Sequence, residues 1–494
     1  MKIDGSFMFL GKMLLFSLIF CCLSCQNSST NEIENQEFLA PEYWKNQVLQ
    51  DVIPYWTRSI VDSANNSFYT TLDENWQANS DSVRFPSMIA RHLFSYASAY
   101  LLSGEEEHLV MADKLYDYLI RYSWDGEYGG WFNSLNPDGL PLDVNKSTFV
   151  QVYVITGLAM YYFVTKDDEV YDFIQSSNSI LEEKVWDSSK GGYFDNLNRD
   201  WSLQNNVKSF SSQLAPVSGY LNYLYLATRD VQYLHQMERI LDTCLENMLD
   251  NENGWILESF DQDWNYMVQR TDENEINVGH NIELAWMLVR AYLLNGNAEY
   301  LSSAKALSDS SHRYGFNDKS GIWYGGIGNT NPEKQSDFTY WWIQAYGLMF
   351  DLCLTSLSEK EPYVQSFLKG ADFWENYFMD RVKGDSHLAV SETGEVKMGV
   401  KANQFKASYH NVEHGMLNYL YLSAWVNPQP VTLYFRIKNS PEGEILYPLP
   451  IESMDYTIKE VKINGKAFAF QMGPENGISL PQINASKVSV EIGF

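Results

Sequence analysis

Cysteine is scarce in this chain of 494 residues: five are present, at positions 21, 22, 25, 244 and 353. Three of them crowd the N-terminus. The other two, Cys244 and Cys353, are too few for a disulfide framework or a zinc-ribbon ligand set. They leave either a single bridge or two buried free thiols. Basic residues are few as well. There are 35 Lys and Arg against 63 Asp and Glu, a formal net charge of −28. That balance excludes a nucleic-acid partner, because phosphate binding needs a basic surface. It does not exclude an anionic sugar, since a local cationic pocket can lie inside an acidic shell.

A long apolar run is also missing at the N-terminus. The stretch from Met8 to Cys22 is interrupted by Lys12 and is too short for a spanning helix. It ends in Leu23-Ser24-Cys25 and gives way to Gln26-Asn27-Ser28-Ser29-Thr30. This resembles a bacterial lipoprotein signal, with Cys22 where leucine is usual. The expectation is a signal peptide over residues 1–24, lipid attachment at Cys25, and a polar tether over 25–39. The protein would then be exported and anchored to the bacterial envelope, at the cell surface or the periplasmic face.

What the chain does have is a glycine–aromatic mark that returns about every 62 residues. It reads Gly129-Gly130-Trp131, Gly191-Gly192-Tyr193 and Gly254-Trp255, with an echo at Gly321-Ile322-Trp323. The stretches between carry helical spacing, as in Ile89 to Leu102, Leu109 to Tyr122 and Phe149 to Phe163. A unit of that length holds two helices of ordinary size and their connections. The periodic region, 40–426, therefore holds about six helical hairpins, enough to close into an (α/α)6 barrel around one central pit. Such a pit is the place to look for function. The 15 tryptophans and 33 tyrosines suit both a helical-ring core and the faces of sugars.

Asn427-Pro428-Gln429-Pro430 breaks the helical pattern. Beyond it the period becomes two. Residues 431–437, 456–458, 461–463, 467–470 and 488–492 read as strands, with a hairpin at Asn464-Gly465. The predicted fold class is an all-α (α/α)6 barrel with a small C-terminal all-β domain over 428–494, to which no chemistry is assigned.

Four groups of residues could do chemistry. Ala90-Arg91-His92 places an arginine among apolar neighbours, where burial is costly without an anion. Gly279-His280-Asn281-Ile282-Glu283 puts an imidazole and a carboxylate on one helix face. Tyr340-Trp341-Trp342-Ile343-Gln344-Ala345-Tyr346 and Tyr409-His410-Asn411-Val412-Glu413-His414 are the others. The last also spells His-x-x-Glu-His, an inverted zinc-protease pattern. No third ligand is identifiable, so no metal or other cofactor is expected.

Together with Lys146 to Tyr162, which includes Gln151, these stretches resemble the N-acylglucosamine 2-epimerase superfamily, which includes cellobiose 2-epimerases and aldose–ketose isomerases. The resemblance covers about residues 80–425 and implies an (α/α)6 barrel. It implies that Arg91, His280, Glu283, Trp342 and His410 line the pit, and that paired histidines move a proton beside a sugar carbonyl. The chain departs from the family pattern twice. Gln213-Leu214-Ala215 replaces a His-x-His, and Tyr346 replaces a glutamate.

The expected catalytic residues are His280, His410, Tyr409, Glu283 and Tyr346. Arg91, Gln151, Gln213, Trp341, Trp342 and Gln344 are the expected substrate ligands. The expected partner is an anionic oligosaccharide. The favoured reaction removes the C5 proton of a uronate and expels the 4-substituent, as a dehydratase or lyase in polysaccharide breakdown would, for instance on fragments of an algal polymer such as ulvan. The alternatives are 2-epimerisation or isomerisation of an oligosaccharide or free sugar, glycoside hydrolysis by paired carboxylates, and non-catalytic glycan binding at the cell surface.

Overall fold

The computed structural model describes residues 36–494, apart from 79–81, 251, 269–274, 358–359 and 454. The signal, Cys25 and most of the tether lie outside the described residues. Among those described, twelve helical stretches form two concentric rings. The inner ring is α2 (Pro86–Ser103), α4 (Thr148–Thr165), α6 (210–228), α8 (Val278–Asn295), α10 (Trp341–Leu354) and α12 (Tyr409–Tyr421). The outer ring is α1 (41–59), α3 (Glu106–Tyr118), α5 (Asp168–Ile180), α7 (Val231–Asn247), α9 (Ala298–Ser310) and α11 (Glu361–Phe373). Helix α12 packs on α1 and α2, which closes the circle. The sequence explains which helix goes where. Inner helices are buried all round, and α4 is apolar enough to cross a membrane by composition alone, yet lies inside the ring. Outer helices such as α7 bury one stripe, including Tyr233, Met237, Ile240, Leu241 and Cys244.

The repeating glycines have a definite job. Gly129, Gly130, Gly191, Gly192, Gly254 and Gly321 all have positive φ, between 72° and 83°. Beside Gly130 and Gly192 lies a tryptophan from the following repeat, Trp201 and Trp264. A Cβ on Gly130 would come within 2.4 Å of Trp201. The two indoles then donate to the carbonyls of Tyr128 and Lys190, each at 2.9 Å. Under the same loops, Lys146 pairs with Asp125, Lys208 with Asp187 and Lys401 with Asp380, at 3.1, 2.8 and 2.9 Å. At the Gly130 and Gly192 loops one repeat is thus locked to the next by a ring on a glycine and a buried ion pair.

The barrel is not purely helical. The loops before the inner helices carry short antiparallel strand pairs, such as Glu275–Asn277 on Gly326–Gly328. These loops are long and lie side by side, so their backbones satisfy one another. At the C-terminus, β1 (Val431–Ser440), β2 (Thr457–Ile463), β3 (Lys466–Ala467) and β4 (Ile483–Gly493) form an antiparallel sheet in the order β1-β4-β2-β3. Asn464 and Gly465 both take positive φ in the β2–β3 turn, as that hairpin demands. The expected break between 456–458 and 461–463 is one continuous strand with a bulge, and Phe468 to Phe470 lie outside any strand. Strand β1 packs on α2 and α4. The segment before β2 buries Tyr447, Leu449 and Ile451 and sends Glu452 into the barrel. There it accepts from Arg290 at 2.7 Å and Asn222 at 2.8 Å. Cys244 and Cys353 are buried free thiols, so the single bridge is not formed.

Candidate active site

The N-terminal turns of the inner helices converge on a cavity of about 690 Å³. Its wall takes Arg91 from α2, Phe149 and Tyr153 from α4, Ser211 and Ala215 from α6, His280 and Glu283 from α8, Trp341, Trp342 and Tyr346 from α10, and His410 from α12. The preceding loops add Asn277, Tyr340, Leu388, Met398, Asn403 and Phe405 at the mouth. Helix N-termini carry partial positive charge, so the geometry favours an anion in the pit even though the whole chain is acidic.

The two histidines flank Trp342, with ring centroids 5.3 Å from it for His280 and 6.5 Å for His410. Their environments push them in opposite directions. His280 Nδ1 lies 2.5 Å from Glu258 Oε1. Burial disfavours the imidazolium, but the Glu258 carboxylate outweighs it and holds the His280 pKa above the ordinary value. His410 is held well below its ordinary value by burial, and further by Arg91 and Lys406. One imidazole is therefore poised as an acid and the other as a base, the arrangement that proton transfer requires. Burial raises the pKa of Glu283, with His280 opposing it. Burial, then Glu283 and Glu413, raises Tyr346 well above a normal phenol, so it is a proton donor only.

Arg91 lies in the wall. Its guanidinium carbon is 3.7 Å from the Tyr153 ring centroid, and it donates to the Phe405 carbonyl. Its Nε is buried without a partner, and no carboxylate pairs with it among the described residues. The cation is thus oriented and uncompensated, as an anion-binding group should be.

Two sets of expectations are corrected. Gln151, Gln213 and Gln344 are not substrate ligands. Each clamps the glycine loop of its own hairpin. Gln151 Oε1 accepts from Trp131 N at 2.8 Å and its Nε2 donates to Trp131 O at 2.7 Å. Gln213 does the same to Tyr193, both at 2.7 Å. Gln344 accepts from Trp323 N and donates to Gly321 O, both at 2.9 Å. Each amide spends its oxygen and at least one N–H on the loop, and none of the three lines the cavity. Tyr409 is also displaced from its expected role. Its hydroxyl donates to Glu413 at 2.9 Å, beneath the pit, rather than facing the cavity. Trp341 and Trp342 do line it. In the zinc-like pattern, His414 packs edge-on between Trp44 and Trp374, and neither of its ring nitrogens has a partner.

Glu258 was missed. It lies in a loop, 22 positions before the histidine it serves, and belongs to none of the patterns read from the sequence. Its signal was faint, a lone carboxylate between Leu257 and Ser259.

A double helical ring with an acid–base pit at the inner-helix N-termini defines a class of sugar-processing barrels. The chain belongs to the N-acylglucosamine 2-epimerase (GlcNAc 2-epimerase) family, whose model matches residues 67–413. It is 26% identical over 389 residues to a cellobiose 2-epimerase of Bacteroides fragilis, covering 76% of this chain and 97% of that one. In structure it resembles the cellobiose 2-epimerase of Spirochaeta thermophila, with a TM-score of 0.72 at 21% identity over 80% of this chain and 99% of the other. A D-mannose isomerase superposes with a TM-score of 0.70 at 19% identity, over 78% and 98%. These two likenesses show the shared barrel.

Proposed function

We propose that the chain is a carbohydrate-active enzyme that moves a proton at the carbon beside a carboxylate or carbonyl, and that its reaction is elimination from a uronate-containing oligosaccharide. The observation that carries this reading is the pit wall at Ala215. A methyl group stands where the resemblance to epimerases leads one to expect the second histidine of His-x-His, and Gln213, at the first, is spent on a loop. Ring opening of a reducing sugar has lost its acid–base groups on that side. Arg91, the inner-helix N-termini and the two histidines remain, and they suit a substrate that already carries an anion.

In this reading Arg91 holds the uronate carboxylate and stabilises the charge that develops there. Neutral His410 takes the C5 proton. The C4–O bond breaks as C4=C5 forms, and His280 or Tyr346 protonates the departing oxygen. Water leaves in a dehydratase; in a lyase the leaving group is a sugar whose glycosidic oxygen becomes its reducing-end hydroxyl. The lipid anchor at Cys25 belongs to the same proposal, since an exported enzyme meets polymer fragments rather than cytoplasmic free sugars.

The second reading, 2-epimerisation or isomerisation, has the more direct support from the relatives, several of which are cellobiose 2-epimerases. One experiment separates the two. Uronate oligosaccharides are incubated in heavy water and followed by ultraviolet absorbance and NMR. Elimination gives the absorbance of a conjugated enol-ether carboxylate and a new vinylic C4 signal. Deuterium at C2 of a reducing-end sugar, with no such absorbance, would replace elimination by epimerisation.

A further inference from the structure

The His-x-x-Glu-His pattern leaves one residue unused, Glu413. It is fully buried in the second turn of α12, under the pit. One carboxyl oxygen, Oε1, accepts from two phenols, Tyr409 and Tyr223, each at 2.9 Å. The other, Oε2, has no partner. A buried carboxylate held only by two neutral donors on one oxygen is poorly compensated. The titratable and charged groups that face it are Tyr409 from α12, Tyr223 from α6, Arg290 and Glu283 from α8, Tyr346 from α10 and Tyr153 from α4. Arg290 acts on it only at a distance: its Nε donates to Glu452, and its terminal nitrogens make no hydrogen bond to Glu413 or to any other group among the described residues. Tyr409 carries the effect upward. Its ring packs 4.8 Å from His410, and the Arg91 guanidinium carbon lies 5.7 Å from its centroid.

We propose that Glu413 is a positioning residue that works as a proton-dependent charge beneath the pit: protonated, it lets negative charge develop on the sugar, and ionised, it opposes that charge. This rests on the proton-transfer reading above but not on whether elimination or epimerisation follows. Burial supports it by pushing the carboxyl up to about 7, with the two phenols and Arg290 opposing and Glu283 assisting. The prediction is that two ionisations lower the rate on the alkaline side: that of His280 removes a required proton, and that of Glu413 adds a finite step.

The test is the pH profile of kcat/KM for wild type, Glu413→Gln and Tyr223→Phe, using whichever proton-transfer product the enzyme forms. Glu413→Gln keeps a neutral amide in place. It should retain activity at acid pH and lose the Glu413 step, leaving an alkaline limb of log kcat/KM with the single slope set by His280. Tyr223→Phe removes a donor to the carboxylate, so the Glu413 ionisation should move up by about one pH unit. An alkaline limb of unchanged shape in a folded Glu413→Gln enzyme overturns the proposal. A readout without turnover separates its failure from that of the function. The infrared difference between wild type and Glu413→Gln should show a protonated carboxyl band below neutral pH that fades above it. A carboxylate band at every pH overturns the proposal even if the enzyme is active. A titrating band in an enzyme that transfers no proton on any sugar supports the charge at Glu413 and sinks the reading of the pit.

Discussion

Replacing Glu258 by Gln should lower the His280 ionisation and so weaken the acid proposed for this pit. In the native enzyme a carboxylate at 2.5 Å holds the His280 pKa above its ordinary value, against the burial that opposes it. The amide removes the charge but keeps the size. A hydrogen bond between charged partners contributes about 1.5–3 kcal/mol, which is about one to two pKa units at 1.36 kcal/mol each. Glu258 is 39% exposed, so solvent screens the interaction and the lower end applies. The His280 ionisation should therefore fall by about one unit. The sign follows from the role. If His280 acts as an imidazolium acid, the alkaline limb of kcat/KM moves to lower pH, and the rate at pH 8 falls about tenfold. Activity at acid pH should be nearly intact. A limb that moves upward, or a uniform loss at all pH values, would refute the assignment of His280 as the acid.

Arg91→Lys keeps the charge but loses the planar fork over Tyr153. On a uronate substrate kcat/KM should drop by about ten-fold to several hundred-fold, while a carboxyl-reduced analogue should react poorly with both enzymes. Gln213→Ala strands the Tyr193 N–H and C=O groups, each at a cost of about 1–3 kcal/mol. Thermal unfolding should show a clear loss of Tm, with KM unchanged for the protein that remains folded. Gly130→Ala should destabilise by about 1–3 kcal/mol, because the methyl meets Trp201 and the backbone has positive φ. Prolonged chelation should leave turnover unaltered, since His414 is wedged between two tryptophans; loss that zinc restores would revive the metal reading of Glu413.

The ring was legible because its joints need particular residues. A glycine with positive φ beneath a tryptophan admits no side chain, so Gly130 and Gly192 recur in register and count the hairpins. The pit was legible where unlike chemistries share one short stretch, as in His280 with Glu283. The glutamines were misread for a physical reason. A buried polar side chain near the start of an inner helix looks the same from the sequence whether it faces a ligand or a loop. Their fixed distance from the aromatic of each loop, Trp131 to Gln151 and Tyr193 to Gln213, was the available clue. Tyr409 adjoins His410 in sequence, but neighbours on a helix point about 100° apart, which sends its hydroxyl to Glu413. Glu258 could not be found from its own surroundings, because its meaning lies in a contact formed only by the closed ring.

The central claim is that His410 accepts a proton from the sugar in this pit. Mass spectrometry of sugars recovered from heavy water, with the wild-type enzyme and with His410→Asn, tests it directly. Unsaturated or deuterium-labelled product is expected with the native enzyme and neither with His410→Asn, although the variant still folds and binds. Undiminished product from His410→Asn would contradict it.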